Sequence, residues 1–192
     1  ESGRVSDGAR RLLLAADLDP GFTTALSLVV RAAAFRGRDD VAARVMRRIE
    51  AGPRLSFELV LLRCRIAIWR NEKPPAIVKE QLAQVAVQPA QRLIASVLAA
   101  AEGDVTRILE MRASFEKIAP HARYLAFLHQ LAAEVLASRD AAAAVEHVEG
   151  SDWHGLFDLD WLDRCPALAP LRAEPRFVHV RERVARRVLR PQ

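Results

Sequence analysis

Residues 20–53 read PGFTTALSLVVRAAAFRGRDDVAARVMRRIEAGP, and this stretch decides the fold because it contains a complete helical hairpin. Apolar residues recur every three or four positions in residues 22–36 and again in residues 39–50, which is the spacing of amphipathic helices. Gly37 separates the two helices, and Pro53 follows the second one. The stretch therefore predicts two helices that pack against each other.

The hairpin is repeated along the chain. Pro20, Pro53, Pro89 and Pro120 lie 33, 36 and 31 residues apart, and a period near this length is typical of helical-hairpin repeats. A single hairpin cannot bury its apolar stripe alone, so the units are expected to stack. We predict an all-α fold: a right-handed stack of about four helical hairpins over residues 22–150.

The whole chain, residues 1–192, is expected to form one domain. A leading helix precedes the hairpins, and a C-terminal cap at residues 151–192 follows them. The predicted helices cover residues 7–18, 22–36, 39–50, 56–69, 74–87, 89–101, about 105–115, 121–138, 141–148 and 175–188.

Composition excludes several classes of protein. Hydrophobic residues make up 51% of the 192 residues, which argues against disorder, and only 8 glycines leave little material for the turns of a large sheet. No apolar run approaches the roughly 18 residues that span a bilayer. No secretory signal opens the chain, and two cysteines suit a reducing compartment, so we expect a cytoplasmic location. The first residue is Glu1 rather than Met, which suggests a piece of a longer polypeptide.

The charge pattern is basic, with a net charge of +5 and a pI of about 10.0. Arginine accounts for 26 of the 29 basic residues, and arginine in place of lysine, together with abundant alanine, is typical of a GC-rich genome. No lysine-rich run or exposed aromatic series points to nucleic acid as a partner. An acidic stretch at residues 146–163 precedes a basic tail at residues 176–190, and we expect the two to be neighbours in space.

The segment ADLDPGF at residues 16–22 resembles the Leu-Asp-Pro junction between tetratricopeptide repeats. The spacing of Gly37, Ala42 and Pro53 is similar to that family, although the large-small-aromatic pattern of its first helix is replaced here. The resemblance implies a tetratricopeptide-like (TPR-like) α-solenoid.

A second resemblance lies in the segment DLDWLDRCPALAPLR at residues 158–172, which Pro175, Arg176 and Phe177 follow. It is similar to the end of the helical-repeat region in large bacterial signalling proteins, in which a eukaryotic-like serine/threonine protein kinase precedes the repeats. The resemblance implies an interaction tail rather than a catalytic core.

The same segment also has the physical features of a cap that covers the last hairpin. Trp161 and its leucine neighbours can cover the last hairpin, whereas Pro166 and Pro170 force a compact irregular turn. The helix at residues 175–188 then places its apolar residues on one side. We expect Trp161 to be buried.

Candidate catalytic and metal-binding residues are few. His147 and His154 lie beside acidic residues, but their spacing fits no standard metal-ligand motif. Cys64 and Cys165 have no partner in a CxxC motif and are expected to be inert packing residues. His121, His129 and His179 are expected to be structural or surface residues. We predict no catalytic residue, cofactor site or metal site.

The leading functional hypothesis is a non-catalytic interaction scaffold that binds a protein or peptide partner in its concave groove. Arg31, Arg63 and Arg70 are the candidate peptide-binding residues, since guanidinium groups recognise carboxylates, and they favour an acidic partner. The alternative is a helical sensor region of a transcription regulator or nucleotide cyclase that binds a small effector. A third class, an enzyme in its own right, would need a deep pocket with converging polar groups.

Overall fold

The computed structural model describes residues 5–19, 23–52, 56–118 and 123–189. Within these ranges the chain forms eleven α-helices, one 3-10 helix and no β-strand, which confirms the predicted all-α class. The α-helices are α1 (Val5–Leu18), α2 (Thr23–Ala34), α3 (Asp39–Glu50), α4 (Phe57–Arg70), α5 (Ile77–Gln84), α6 (Gln88–Ala101), α7 (Thr106–Ile118), α8 (Arg123–Leu136), α9 (Ala141–Trp153), α10 (Leu159–Arg164) and α11 (Pro175–Val188), and the 3-10 helix is Pro166–Leu171.

Consecutive helices pack against each other, as the amphipathic stripes predict. Contacts join α1 to α2, α2 to α3, α6 to α7 and α8 to α9. Contacts also join α2, α4, α6 and α8: α4 contacts α2, α6 and α8, and α6 contacts α8. In α2 the residues that face this packing are Leu26, Val29 and Val30, all of which are buried.

Two apolar cores meet at α4 and α8. The first core joins Leu26 of α2 to Trp161 and Phe177 of the C-terminal segment. The second core lies among the middle helices and includes Ile94 of α6 and Ile108 of α7. Because α4 and α8 contribute side chains to both cores, they tie the two halves of the molecule together.

The cap does more than cover the last hairpin. The 3-10 helix contacts α4, α8 and α9, and Arg36, in the turn after α2, donates two hydrogen bonds to Asp160, at 3.1 and 2.7 Å. Trp161 is 0% exposed, which confirms its predicted burial. A stack held only by contacts between neighbouring hairpins would not bring residues 36 and 160 together, so the C-terminal segment closes the molecule onto its first hairpin.

The helix predicted at residues 74–87 is shorter than expected. It spans Ile77–Gln84, and the backbone of Val85 and Val87 is extended, with ψ of 109° and 107°. Pro89 occupies the first turn of α6. Since proline lacks an N–H and its ring clashes with the preceding turn, a helix arriving from α5 cannot run on through it.

The helix predicted at residues 141–148 is longer than expected and ends at Trp153. Gly150 lies inside it without breaking it, because the His129 ring of α8 packs directly on this position. A Cβ atom at Gly150 would lie 2.3 Å from Cε1 of His129. The glycine therefore permits the close approach of α8 and α9.

Residues with a positive φ follow several of the helices. Gly37 has φ +64° between α2 and α3, and Gly103 has φ +118° between α6 and α7. After α4 the same conformation is adopted by Asn71, with φ +54°. Three of the four periodic prolines, Pro20, Pro53 and Pro120, lie outside the described residues, as does His121.

No helix among the described residues combines the length and the apolar character that crossing a membrane requires.

Candidate functional site

The three arginines predicted to bind a peptide lie in two different surroundings. Arg31 on α2 faces the cap, where its Nη1 lies 2.5 Å from a carboxylate oxygen of Asp158. Arg63 and Arg70 on α4 face α3 instead, and they form ion pairs with Glu50 and Asp39. Each arginine thus has an intramolecular partner, and binding of a peptide carboxylate by these residues stays a prediction.

Arg63 and Arg70 share one hollow of about 310 Å³ between α3 and α4. The floor of this hollow contains Met46 and Ile66. Arg63 also donates a hydrogen bond to Oε1 of Gln81, at 2.5 Å. The structure therefore brings two of the three predicted residues together and places Arg31 elsewhere.

A buried ion pair links α4 to α8. Arg65 donates two hydrogen bonds to Glu134, at 3.1 and 2.5 Å, and the two side chains are 7% and 0% exposed. Trp161 of the cap donates its indole N–H to the same carboxylate at 2.8 Å. The Arg65 guanidinium also lies over the rings of Trp69 and Phe127, at 5.1 and 5.5 Å from their centroids. Since every member of this group contacts another member, it joins three elements of the fold.

A concave surface larger than the hollow between α3 and α4 lies where α4, α6 and α8 begin and α7 ends. We call it the apolar groove; its volume is about 970 Å³. Ile118 is 81% exposed and Val87 is 60% exposed, which leaves large apolar side chains in contact with solvent. The apolar side chains that line it include Phe57, Val87, Leu93, Met111, Phe115, Ile118 and Tyr124.

The apolar groove was missed in the sequence because α7 has two apolar faces. Ile108 and Leu109 form the face of α7 that packs against the core. Ile108 is buried, but Phe115 is 36% exposed and lines the groove. Met111, Phe115 and Ile118 form a second stripe at i, i+4 and i+7, and this spacing was the signal that could have identified the site.

Three histidines that lie far apart in the sequence meet between α8 and α9. Nδ1 of His129 lies 3.0 Å from Nδ1 of His147, and the ring of His154 stacks on that of His129 with centroids 5.5 Å apart. Burial, reinforced by the neighbouring His147, Arg112 and His154, lowers the pKa of His129 to about 3. Burial and Arg112 lower the pKa of His147 to about 4. Both imidazoles are therefore neutral at pH 7, and one ring donates the hydrogen bond that the other accepts.

The acidic stretch and the basic tail are neighbours, as predicted. Arg183 and Arg187 of α11 both pair with Asp152 of α9, at 2.6 and 2.9 Å. Arg176 pairs with Glu149 in the same way, at 2.5 Å. These charges fasten α11 onto α9 and neutralise much of the basic tail.

Both cysteines are buried packing residues, as predicted. Burial raises the pKa of Cys64 to about 12, and burial next to Glu134 raises the pKa of Cys165 well above its usual value. Since the thiolate is the reactive form, neither thiol is activated as a nucleophile. Among the described residues, no group of three or more His, Cys, Asp or Glu side chains is arranged to hold a metal ion.

No protein-family model matches this chain. Comparison with the curated proteins found no match, and comparison with the solved structures found none.

Proposed function

We propose that this chain is a non-catalytic protein-interaction module whose partner binds in the apolar groove. The observation that carries the proposal is the exposure of large apolar side chains around that groove. Contiguous apolar patches on a folded protein mark interaction surfaces, since exposing them to water is unfavourable. Ile118 is 81% exposed and Val87 is 60% exposed, so this patch is open to solvent.

The architecture supports this function. We infer that the helices continue a TPR-like right-handed stack, and the contacts among α2, α4, α6 and α8 support that inference. Stacked hairpins present extended surfaces on which protein segments dock. The buried ion pair of Arg65 and Glu134 joins α4 to α8, so it has a structural role in this proposal.

The kind of protein to which this module belongs is inferred from residues 158–172. The likeness of residues 158–172 to the end of kinase-associated repeat regions supports a place in the C-terminal region of a bacterial serine/threonine protein kinase, in the cytoplasm. The complete reading frame that encodes this chain tests this part of the proposal. Kinase motifs there would support it, whereas a DNA-binding domain or a cyclase domain would favour the sensor alternative.

Site-specific photo-cross-linking tests the interaction itself. A benzophenone amino acid is introduced at Ser114, which lines the apolar groove, and at Arg47, an exposed residue of α3, as the matched control. We expect a defined protein adduct in host cells from position 114 and none from position 47. Adding Ile118→Asp should remove the adduct because it places a charge in the groove. Equal adducts at both positions, or an adduct unaffected by Ile118→Asp, would contradict the proposal.

A further inference from the structure

The apolar stripe on α7 gives the groove the dimensions of a helix-binding site. Met111, Phe115 and Ile118 lie at i, i+4 and i+7, and with a rise of 1.5 Å per residue this stripe is about 10 Å long. Leu93 of α6 and Tyr124 of α8 line the same groove. A second helix that lies along α7 can therefore place two turns of its own apolar side chains in the groove.

An α-helix fits this surface better than an extended strand. Partners that add a strand need an exposed sheet edge with free backbone groups, and the described residues contain no strand. The walls of the groove are helices, which offer no sheet edge to which a strand could add. Helix-in-groove recognition depends instead on apolar anchors spaced at i, i+3, i+4 and i+7, which matches the stripe on α7.

One charged side chain, Arg92 of α6, lies among the lining residues. It is exposed and forms no ion pair with any residue that the structure describes. By contrast, Arg31, Arg63 and Arg70 all have carboxylate partners within the chain. An unpaired guanidinium beside an apolar surface is suited to bind a carboxylate, and the net charge of +5 favours the approach of an acidic segment.

We propose that the apolar groove binds an amphipathic helix of a protein partner, with a Glu or Asp beside its apolar stripe that pairs with Arg92. This inference rests on the proposed function, because it names the chemistry of the segment that the groove receives. The apolar stripe supplies most of the affinity, and Arg92 sets the preference for an acidic partner.

Designed peptides test the inference. A set of 18-residue helical peptides carries Leu at i, i+3, i+4 and i+7, with either Glu or Lys flanking the stripe, and fluorescence anisotropy measures the dissociation constants. Wild type should bind the Glu peptides about two- to fivefold more tightly than the Lys peptides, as expected for a solvent-exposed ion pair. Arg92→Glu should reverse this preference, and the preference should shrink as salt is raised.

Matched variants separate this inference from the proposed function. Ile118→Asp should abolish binding of both peptide types, whereas Leu18→Asp on α1, which is equally exposed at 81%, should leave binding unchanged. Equal binding of Glu and Lys peptides that Ile118→Asp abolishes would overturn the role of Arg92 and leave the interaction module standing. No binding of either type would overturn the helix-binding groove. A wild-type dimer in sedimentation that Ile118→Asp dissociates would assign the groove to a second copy of this chain and overturn the inference.

Discussion

At the scale of single residues, the pair of Arg65 and Glu134 is the most consequential interaction. Both side chains are buried, and removing the carboxylate leaves the guanidinium charged and without its partner while Trp161 loses its acceptor. We expect Glu134→Ala to lower the free energy of unfolding by about 3–5 kcal/mol, because an uncompensated buried charge is strongly destabilising. Urea denaturation measures this change.

The control for that variant is Glu149→Ala, which removes an exposed pair with Arg176 and should cost far less, because solvent screens exposed ion pairs. Replacing both members of the buried pair, as Arg65→Met with Glu134→Leu, should recover most of the lost stability, since no charge is then left unpaired. A Glu134→Ala variant as stable as the Glu149→Ala control would contradict the structural role of the pair.

The histidines between α8 and α9 predict a sensitivity to acid. The pKa values of His129 and His147 are lowered to about 3 and about 4, below the value near 6.5 of an unfolded histidine. At pH values between the folded and unfolded pKa values, the unfolded chain binds more protons than the folded chain. The free energy of unfolding therefore falls as the pH decreases from 6.5 towards 4. Arg112 and Glu116 of α7 face the same histidines. Arg112 opposes protonation of both His129 and His147, whereas Glu116 favours protonation of His147.

Urea denaturation between pH 7 and pH 5 measures this slope. The double variant His129→Asn, His147→Asn should show a flatter dependence of the free energy of unfolding on pH than wild type. His179→Asn, in an exposed position of α11, should retain the wild-type slope. Identical slopes for wild type and the double variant would rule out the histidine pair as the cause.

At the scale of helices, the cap predicts a large effect of one aromatic residue. Trp161 is fully buried in the core that the first hairpin shares with the C-terminal segment. Trp161→Ala should lower the free energy of unfolding by about 3–5 kcal/mol because it leaves a cavity. Trp153→Ala is the matched control, since that side chain is 83% exposed and its loss should cost less than about 0.5 kcal/mol. Equal thermal midpoints for the two variants would contradict the cap.

The helices also show what the sequence can and cannot predict. Local signals are sufficient for α3 and α11, whose bounds match the prediction because an acidic first turn or a proline at the start marks each of them. The length of α9 depends on the His129 ring packed against Gly150, a tertiary contact that no local pattern contains. The partners of Arg31 and Arg36 are equally long-range, since they come from a segment more than a hundred residues away.

At the scale of the whole molecule, the C-terminal segment determines which surfaces are free. It pairs with Arg31 of α2 and with Arg36 in the turn after α2, whereas the apolar groove at the junction of α4, α6, α7 and α8 is open to solvent. The sequence predicted a partner site on the arginines because charge is visible in a single helix. The groove is formed by four helices together, so its residues become a site only in the folded chain.

Amide hydrogen exchange, measured with and without the purified, non-covalently bound partner that the cross-link at Ser114 identifies, tests whether that partner binds in the groove. We expect slower exchange upon binding in the first turns of α6 and in residues 114–118 of α7, with no change in α3. Slower exchange around Arg63 and Arg70, with no change in α7, would instead assign the partner to the hollow between α3 and α4.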